Sequence, residues 1–320
     1  MSIGEFELIH RYFSRTPSRF DVVEGVGDDC ALLRPQAGKC LAMTTDTLVE
    51  GVHFLAGTNP ENLGHKALAV SLSDLASMGA TPAWVTLALT LPSSDENWLA
   101  AFSNGFRSLA DLYGLELVGG DTTRGPLSIT VQATGFVGEE GALRRSAAQW
   151  GDGIYLTGDL GLAGLGLEIL LGHSNQRVPD AVAKLEKPQP RISAGIALAG
   201  FANACIDVSD GLAADLSHIL KASGVGASLD WIALPLPSAV RQYIERGGDQ
   251  WMPLRAGDDY ELCFTVSADC EHELPGRMAE FRCSCVRIGR IDQQLGLRIK
   301  REGIIYNLDA LGYQHFPGRK

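Results

Sequence analysis

The sequence predicts an α/β protein with two domains and mixed sheets. The chain has 320 residues, which is more than most single hydrophobic cores contain. Its composition, 45% hydrophobic and 20% charged, is that of a globular protein. Apolar runs of strand length alternate along the chain with longer segments that have helical spacing, which is typical of this class.

The N-terminal half is predicted to contain both helices and strands. The opening stretch MSIGEFELIHRYF carries acidic residues and has the spacing of an amphipathic helix, not the composition of a signal or transit peptide. Gly79 suits the C-terminal cap of the first long helix. Strands are expected at 39–45, 84–90, 115–118 and 127–137, and helices at 60–78 and 94–113.

A polar, glycine-rich stretch from Gly138 to Asp152 indicates the domain boundary. We therefore predict an N-terminal domain at 1–138 and a C-terminal domain at 139–320. The second domain is also predicted to be α/β. Its strands are expected at 153–157, 204–208, 259–266 and 285–291, and its helices at about 160–172, 190–202 and 211–222.

The net charge of −11 limits the partners of this protein, because such a field repels nucleic acid, anionic lipid and free polyphosphates. No apolar run approaches the roughly 18 residues that a membrane-spanning helix needs. We therefore expect no nucleic-acid partner and no membrane. An anionic substrate would require positive charge from Arg, Lys or metal ions.

The cysteines indicate a reducing compartment. There are seven, none of them in a CxxC pair, and Cys283 and Cys285 are too close together for ordinary zinc spacing. An odd number argues against a disulfide framework. We expect reduced, mostly buried thiols in a cytoplasmic protein.

Two common nucleotide-binding patterns are absent. The glycines of GDLGLAGLGLEIL fall at 158, 161, 164 and 166, which does not fit GxGxxG, and a glycine-tolerant helix start explains them better. No GxxxxGK[ST] occurs anywhere in the chain. A dinucleotide fold and a P-loop are therefore not expected.

Aspartates recur where predicted elements end, and ligands bind near the carboxyl ends of strands in α/β proteins. Several carboxylates in one place would repel one another unless cations lay between them. Oxygen ligands of this kind, with Ser and Thr hydroxyls nearby, suit Mg²⁺ better than zinc. The acids concerned are Asp28 and Asp29 before CALL, Asp46 after AMTT, Asp74 within ALAVSLSDLASMG, Asp121 after LELVGG, and Asp207 and Asp210 in ACIDVSDG.

Each acid also has a simpler interpretation. The Asp28–Asp29 pair suits a solvated turn, and Asp46 or Asp210 alone suits a helix N-cap. Asp74 is the hardest to explain in this way, because a carboxylate within an apolar helix is costly unless it is paired or bound to metal. A shared metal site and independent capping both remain open from the residues alone.

Basic residues near glycines are candidates for phosphate contacts. GGDTTRG places Arg124 just beyond Asp121, and RRSAAQWGD contains Arg144 and Arg145. A solvated surface is the alternative for these arginines. His53, in EGVHF, is either functional or a half-buried histidine with its hydrogen bonds satisfied.

Six motifs in order resemble the thiamine-monophosphate kinase family, which is part of the AIR synthetase superfamily. They are GVGDDCALL, TTDTLVEGVHF, LSDLASMGA, GGDTTRG, DVSDGLAADL and GDDYELCF. The resemblance extends from about Glu5 to Tyr313. It implies two AIR synthase-related α/β domains and a homodimer whose N-terminal sheets together form a barrel.

The resemblance also implies a reaction, the ATP-dependent phosphorylation of thiamine monophosphate to thiamine diphosphate with several Mg²⁺ ions. The implied magnesium ligands are Asp29, Thr44, Thr45, Asp46, Asp74, Asp121, Asp207 and Asp210. The implied ATP contacts are Gly120, Asp121, Arg145 and Ser209, and the implied thiamine-phosphate contacts are His53, Asp258 and Tyr313.

Two segments depart from the family pattern. Asp258 stands where the family has glutamate, and the arginine loop has Ala147 and Trp150 where glycine and proline are usual. These differences affect local contacts and leave the reaction itself unchanged.

Direct transfer needs few catalytic side chains. The acceptor is a phosphate oxygen that is already ionised near neutral pH, so no general base is required and positioning supplies the acceleration. Three alternatives remain at this point. They are another ATP-dependent synthase or ligase of the superfamily, a magnesium-dependent phosphohydrolase, and a nucleotide sensor without activity.

Overall fold

The computed structural model describes residues 4–138 and 140–308. The chain divides into two compact units. Unit 1 comprises Met1–Leu75 and Ala80–Glu139, and unit 2 comprises Ala76–Gly79 and Glu140–Lys320. Within the described residues, no helix is both long and apolar enough to cross a membrane.

The main sheet of unit 1 has four strands in the order β3-β6-β4-β5. Strand β6 is antiparallel to both β3 and β4, and β4 is parallel to β5, so the sheet is mixed. The elements up to residue 138 are α1 (Glu5–Leu8), a π-helical turn (Ile9–Phe13), β1 (Val22–Glu24), β2 (Leu32–Leu33), β3 (Lys39–Val49), α2 (Pro60–Ser77), β4 (Thr81–Leu91), α3 (Glu96–Tyr113), β5 (Glu116–Arg124) and β6 (Ser128–Gly138).

Helix α3 begins and ends where its sequence places the appropriate caps. The Asp95 carboxylate accepts the N–H groups of Asn97 and Trp98 at 2.9 and 3.2 Å, which satisfies two donors of the first turn. Gly114 ends the helix in the left-handed conformation, with φ 64°. The apolar face between these caps is buried and consists of Leu99, Phe102, Phe106 and Leu109.

Helices α2 and α3 approach each other backbone to backbone at two glycines. A Cβ atom added to Gly64 would lie 2.1 Å from the Phe102 carbonyl oxygen. A Cβ atom added to Gly105 would lie 1.8 Å from the Glu61 carbonyl oxygen. Since no side chain fits at either place, these contacts fix the position of the part of α2 that lies in unit 1.

The sheet of unit 2 has seven strands in the order β13-β12-β9-β11-β7-β10-β8. Every pairing is antiparallel except that of β12 with β9. The elements are β7 (Gly153–Leu156), α4 (Leu162–Leu170), α5 (Pro179–Glu186), α6 (Ile192–Leu198), β8 (Ala204–Asp207), α7 (Leu212–Ser223), β9 (Gly226–Asp230), a 3₁₀ turn (Trp231–Ala233), α8 (Ser238–Glu245), α9 (Met252–Arg255), β10 (Leu262–Val266), α10 (Leu274–Glu280), β11 (Val286–Asp292), β12 (Gly296–Arg301) and β13 (Ile304–Asn307).

Four predicted strand boundaries were wrong, and one of them is the start of β4, which begins at Thr81 and not at residue 84. Strands β3 and β5 continue to Val49 and Arg124, so Asp46 and Asp121 lie within strands and not after them. Pairing with the full length of β6 overrides the weak strand tendency of aspartate in β3. The strand expected at 259–266 begins only at Leu262, because positive φ angles interrupt the extended chain just before it.

We expect Gly105→Ala to destabilise unit 1 by roughly 1–3 kcal/mol, because the added methyl group meets the Glu61 carbonyl at 1.8 Å. Gly276→Ala is the matched control. Gly276 is also helical but has no atom within 4 Å of an added Cβ, so alanine there should be neutral or stabilising. Urea unfolding measures both, and equal free energies of unfolding for the two variants would contradict the close contact.

Candidate active site

Strand β3 and helix α2 bring two of the predicted acids together in unit 1. Thr44 and Asp46 lie on the face of β3 that is partly buried. The Thr44 hydroxyl donates a short hydrogen bond to the Asp74 carboxylate. The Ser71 hydroxyl, one turn earlier on α2, donates to Asp46 Oδ2 at 2.7 Å. The result is a group of two carboxylates and two hydroxyls.

This group is electrostatically unfavourable without a cation. Burial raises the pKa of Asp46 to about 6, and the negative charge of Asp74 adds to this effect, whereas the Ser71 hydrogen bond opposes it. Two neighbouring carboxylates and their hydroxyls are hard oxygen donors of the kind that Mg²⁺ prefers. The residues present therefore fit a divalent cation.

Other predicted ligands of unit 1 lie apart from this pair. Thr45 and Asp121 are exposed and, by strand alternation and register, lie on the opposite face of the sheet from Asp46. Strand β5 is also three strand spacings from β3, about 14 Å. Asp29 is exposed in a turn where its N–H donates to the Asp28 carboxylate at 2.7 Å.

The described residues contain no group of three or more His, Cys, Asp or Glu that could hold a metal ion. In unit 1 the structure therefore brings Asp46 and Asp74 together, but not the other predicted acidic ligands. The shared metal site stays a prediction.

Residue 120 must be glycine for a structural reason that the sequence did not reveal. A Cβ atom there would lie 1.9 Å from the Leu87 carbonyl oxygen, so β5 can pair with β4 only if this residue is glycine. Beyond Asp121, the end of β5 borders a cavity of about 460 Å³. Its lining residues include Ser93, Ser94, Thr122, Thr123 and Arg124.

His53 lies in the turn that follows β3. Its Nδ1 accepts the N–H of Val49 at 3.0 Å. In the neutral ring the proton is consequently on Nε2, which is the atom left to donate.

Unit 2 gathers a second set of acids at the end of β8. Asp207 is the last residue of that strand, and Ser209 and Asp210 follow it before α7 begins. Sequence reasoning missed Asp215, whose Oδ2 accepts the N–H groups of Ser209 and Asp210 at 3.0 Å each. Burial raises the pKa of Asp215 to about 8, and the charges of Asp207 and Asp210 add to this effect. An acid within the apolar LAADL segment was the available signal.

The structure also brings Asp258 beside Ser209. The Asp258 N–H donates to the Ser209 carbonyl at 2.9 Å, and the Tyr260 N–H donates to the Val208 carbonyl at 2.8 Å. The Tyr260 hydroxyl donates to the Asp258 carboxylate at 3.0 Å. Asp258 and Tyr260 have φ angles of 66° and 47°, an uncommon conformation for residues other than glycine. A predicted ATP contact and a predicted substrate contact are thus joined by a backbone hydrogen bond.

Asp259 connects this loop to the start of α4. It is fully buried, and its carboxylate accepts the N–H groups of Gly161 and Ala163 at 2.7 and 3.2 Å. Burial raises the pKa of Asp259 to about 7, although these hydrogen bonds oppose the shift.

Glu261 is held by two cations. Lys184 Nζ lies 2.6 Å from Oε1 and Arg191 Nε lies 2.5 Å from Oε2. Burial acts to raise the pKa of Glu261, but the hydrogen bond from Arg191 and the charge of Lys184 outweigh it and hold this pKa below its ordinary value. Arg191, which follows Lys187 in the basic segment KPQPR, therefore has a structural partner.

Two predicted contacts receive less support from geometry. Arg145 is exposed, and its carbonyl accepts the Ser223 hydroxyl at 3.0 Å. Tyr313 lies outside the described residues.

Known proteins match both units. The family model "AIR synthase related protein, N-terminal domain" matches residues 27–137, and "AIR synthase related protein, C-terminal domain" matches residues 149–301. The thiamine-monophosphate kinase of Salmonella typhimurium is 47% identical over 99% of each chain. This chain belongs to the thiamine-monophosphate kinase family.

Solved structures of the family have the same fold. The thiamine-monophosphate kinase of Stenotrophomonas maltophilia K279a is 46% identical, with a TM-score of 0.86, and the match covers 95% of this chain and 99% of that one. A structure described as AaThiL complexed with AMPPCP and TMP is 31% identical, with a TM-score of 0.78, and covers 88% and 89%. The predicted family and the two-domain mixed α/β fold are thereby confirmed.

We expect Asp259 to make stability depend on pH. Its folded pKa of about 7 lies above the ordinary 3.8, so folding favours the protonated carboxyl. The contribution of Asp259 to the free energy of unfolding is fully present below about pH 4 and is lost as the pH rises through 7. Relative to Asp259→Asn, which cannot titrate, the wild type should lose on the order of 2 kcal/mol of unfolding free energy between pH 5 and pH 8. Parallel stability curves in urea would contradict the assignment.

Proposed function

We propose that this protein transfers the γ-phosphoryl group of ATP to thiamine monophosphate and forms thiamine diphosphate and ADP. Full-length identity of 47% to a thiamine-monophosphate kinase carries this proposal. The relative complexed with AMPPCP and TMP, which matches most of this chain, supports the same pair of substrates. The product makes this the last step of thiamine diphosphate synthesis.

The acidic pairs of the two units are the proposed places for Mg²⁺. In unit 1 the hydroxyl and carboxylate oxygens of Thr44, Asp46 and Asp74 would hold it, and in unit 2 those of Asp207 and Asp210. We also propose Asp29, Thr45 and Asp121 as ligands; because they lie apart from the Asp46–Asp74 pair, they would hold further ions. Bound Mg²⁺ would neutralise phosphate charge, which otherwise meets the repulsion of a protein with a net charge of −11.

The side chains of the chain itself bind and orient the substrates. We assign Gly120, Asp121, Arg145 and Ser209 to ATP, and His53, Asp258 and Tyr313 to thiamine monophosphate. The acceptor phosphate carries its own negative charge at neutral pH, so no side chain has to remove a proton. Direct in-line transfer then depends on positioning.

The proposed assembly is a homodimer through the N-terminal sheets, which would close a barrel. One face of β3 supports this, because Leu41 and Met43 on it are 43% and 64% exposed. Apolar exposure on a long strand is typical of a surface that another chain covers. We propose the family's two domains at 1–138 and 139–320.

We propose a cytoplasmic location. All seven cysteines are free, which suits a reducing compartment. The expectation that most of them are buried was wrong, because only Cys205 and Cys263 are buried.

The decisive experiment incubates the purified protein with Mg-ATP and thiamine monophosphate and identifies the products by chromatography. Thiamine diphosphate and ADP should appear in equal amounts, and chelation of divalent ions should abolish both. Formation of ADP and free phosphate without thiamine diphosphate would indicate a phosphohydrolase. Unchanged ATP would indicate a sensor.

Asp258 generates a prediction on the substrate side. Asp258→Ala should lower kcat/KM for thiamine monophosphate by roughly 5- to 150-fold, about 1–3 kcal/mol, because a carboxylate near the cationic thiazolium ring is lost. The KM for ATP should change little. Asp258→Glu, which introduces the residue usual in the family, is the matched control and should keep most of the activity. Equal loss in both variants, or loss of ATP affinity alone, would refute the assignment.

A further inference from the structure

The loop between β8 and α7 is held by a buried carboxylate. Asp215 is 3% exposed and lies in the first turns of α7. Its Oδ2 accepts two N–H groups, those of Ser209 and Asp210, at 3.0 Å each. A carboxyl oxygen can accept two hydrogen bonds, so this single atom fixes the direction of two consecutive peptide N–H groups.

The peptide group between Ser209 and Asp210 is held at both of its ends. Its N–H belongs to Asp210 and donates to Asp215. Its carbonyl belongs to Ser209 and accepts the Asp258 N–H at 2.9 Å. With both polar groups bound on opposite sides, the peptide plane cannot rotate without breaking one of them.

The surrounding backbone leaves little room for the loop to move. A Cβ atom on Gly257 would lie 2.0 Å from the Ser209 carbonyl oxygen, and one on Gly211 would lie 2.7 Å from the backbone of Arg255. The Val208 N–H donates to the Glu261 carbonyl at 2.7 Å on the N-terminal side of the loop. The loop is therefore held by its neighbours along its length. The contacts of Val208 and of the Ser209 carbonyl are made with backbone atoms, whereas Asp215 holds the loop through its side chain.

We propose that Asp215 is a positioning residue for the nucleotide, which orients Ser209 and Asp210 toward ATP and its metal through their backbone N–H groups. This inference rests on the proposed function, and Asp215 itself touches neither substrate. The same peptide group accepts the Asp258 N–H through its carbonyl, and this backbone hydrogen bond on the substrate side does not involve the Asp215 side chain.

A plain structural role is the competing explanation, since a buried carboxylate that accepts N–H groups also stabilises a helix start. Asp152 provides a matched control in the same unit. It is 2% exposed, accepts the Gln149 N–H at 2.9 Å and the Asn203 side-chain amide at 3.0 Å, and has no assigned part in the site.

The experiment compares Asp215→Ala and Asp215→Asn with the same two substitutions at Asp152 in the full-length protein. Titration calorimetry with Mg-AMPPCP measures nucleotide affinity, thermal melting measures stability, and steady-state kinetics separates KM from kcat for each substrate. Asp215→Ala should bind Mg-AMPPCP at least tenfold more weakly, with the KM for thiamine monophosphate changed less than threefold. Asp215→Asn should recover part of the affinity, because its carbonyl oxygen can accept the same N–H groups.

The Asp152 variants should lose stability while keeping wild-type nucleotide affinity. Wild-type affinity in folded Asp215→Ala, or an equal loss in both alanine variants, overturns the inference. If Asp215→Ala does not fold, Asp215→Asn is compared with Asp152→Asn, and equal affinity there overturns it as well. Failure of the proposed function is separate, because it appears as absence of thiamine diphosphate from the wild-type protein.

Discussion

Burial of carboxylates is the constraint on which this structure depends. Taking a charged group out of water costs several kcal/mol unless partners replace the lost hydration. Glu261 meets this requirement with Lys184, Arg191 and the Thr157 hydroxyl, all within 2.8 Å. This network anchors Glu261. Because Glu261 directly follows Tyr260, the network also holds one end of the unusual turn that contains Asp258 and Tyr260.

Asp46 and Asp215 have a different electrostatic environment, in which other acids are close. Asp46 faces Asp74, and Asp215 is near Asp207 and Asp210, so like charges raise the pKa of Asp46 and of Asp215 after burial itself. The pKa of Glu261 is held below its ordinary value, whereas the pKa values of Asp46 and Asp215 are raised. Divalent cations are the natural partners of such groups of carboxylates, and we propose one at each of the two groups.

The sequence predicted the class of the fold and the family, because local patterns and motif order carry that information. It also predicted that Asp74 needs a partner within its apolar helix, and the Thr44 hydroxyl is one. It did not predict that Asp46 and Asp121 lie within strands, since pairing with distant strands extends β3 and β5 beyond what local propensity indicates. The roles of Asp215, Asp259 and Glu261 were also missed. Asp259 and Glu261 are recognised only by their partners, because Gly161 and Lys184 are far from them along the chain, whereas Asp215 had a local signal in the apolar LAADL segment.

The strand order of unit 2 has a consequence for how the chain acquires its structure. Strand β7 pairs with β10 and β11, so Leu156 meets Cys263 and Val286, which are made much later during synthesis. The order β13-β12-β9-β11-β7-β10-β8 leaves β7 without a neighbour until β10 has been made, and without its second neighbour until the ribosome has passed β11. Unit 1, in contrast, completes its sheet at Gly138. Long-range pairings of this kind fold slowly and leave apolar strands exposed to aggregation, so we expect unit 2 to become native more slowly than unit 1.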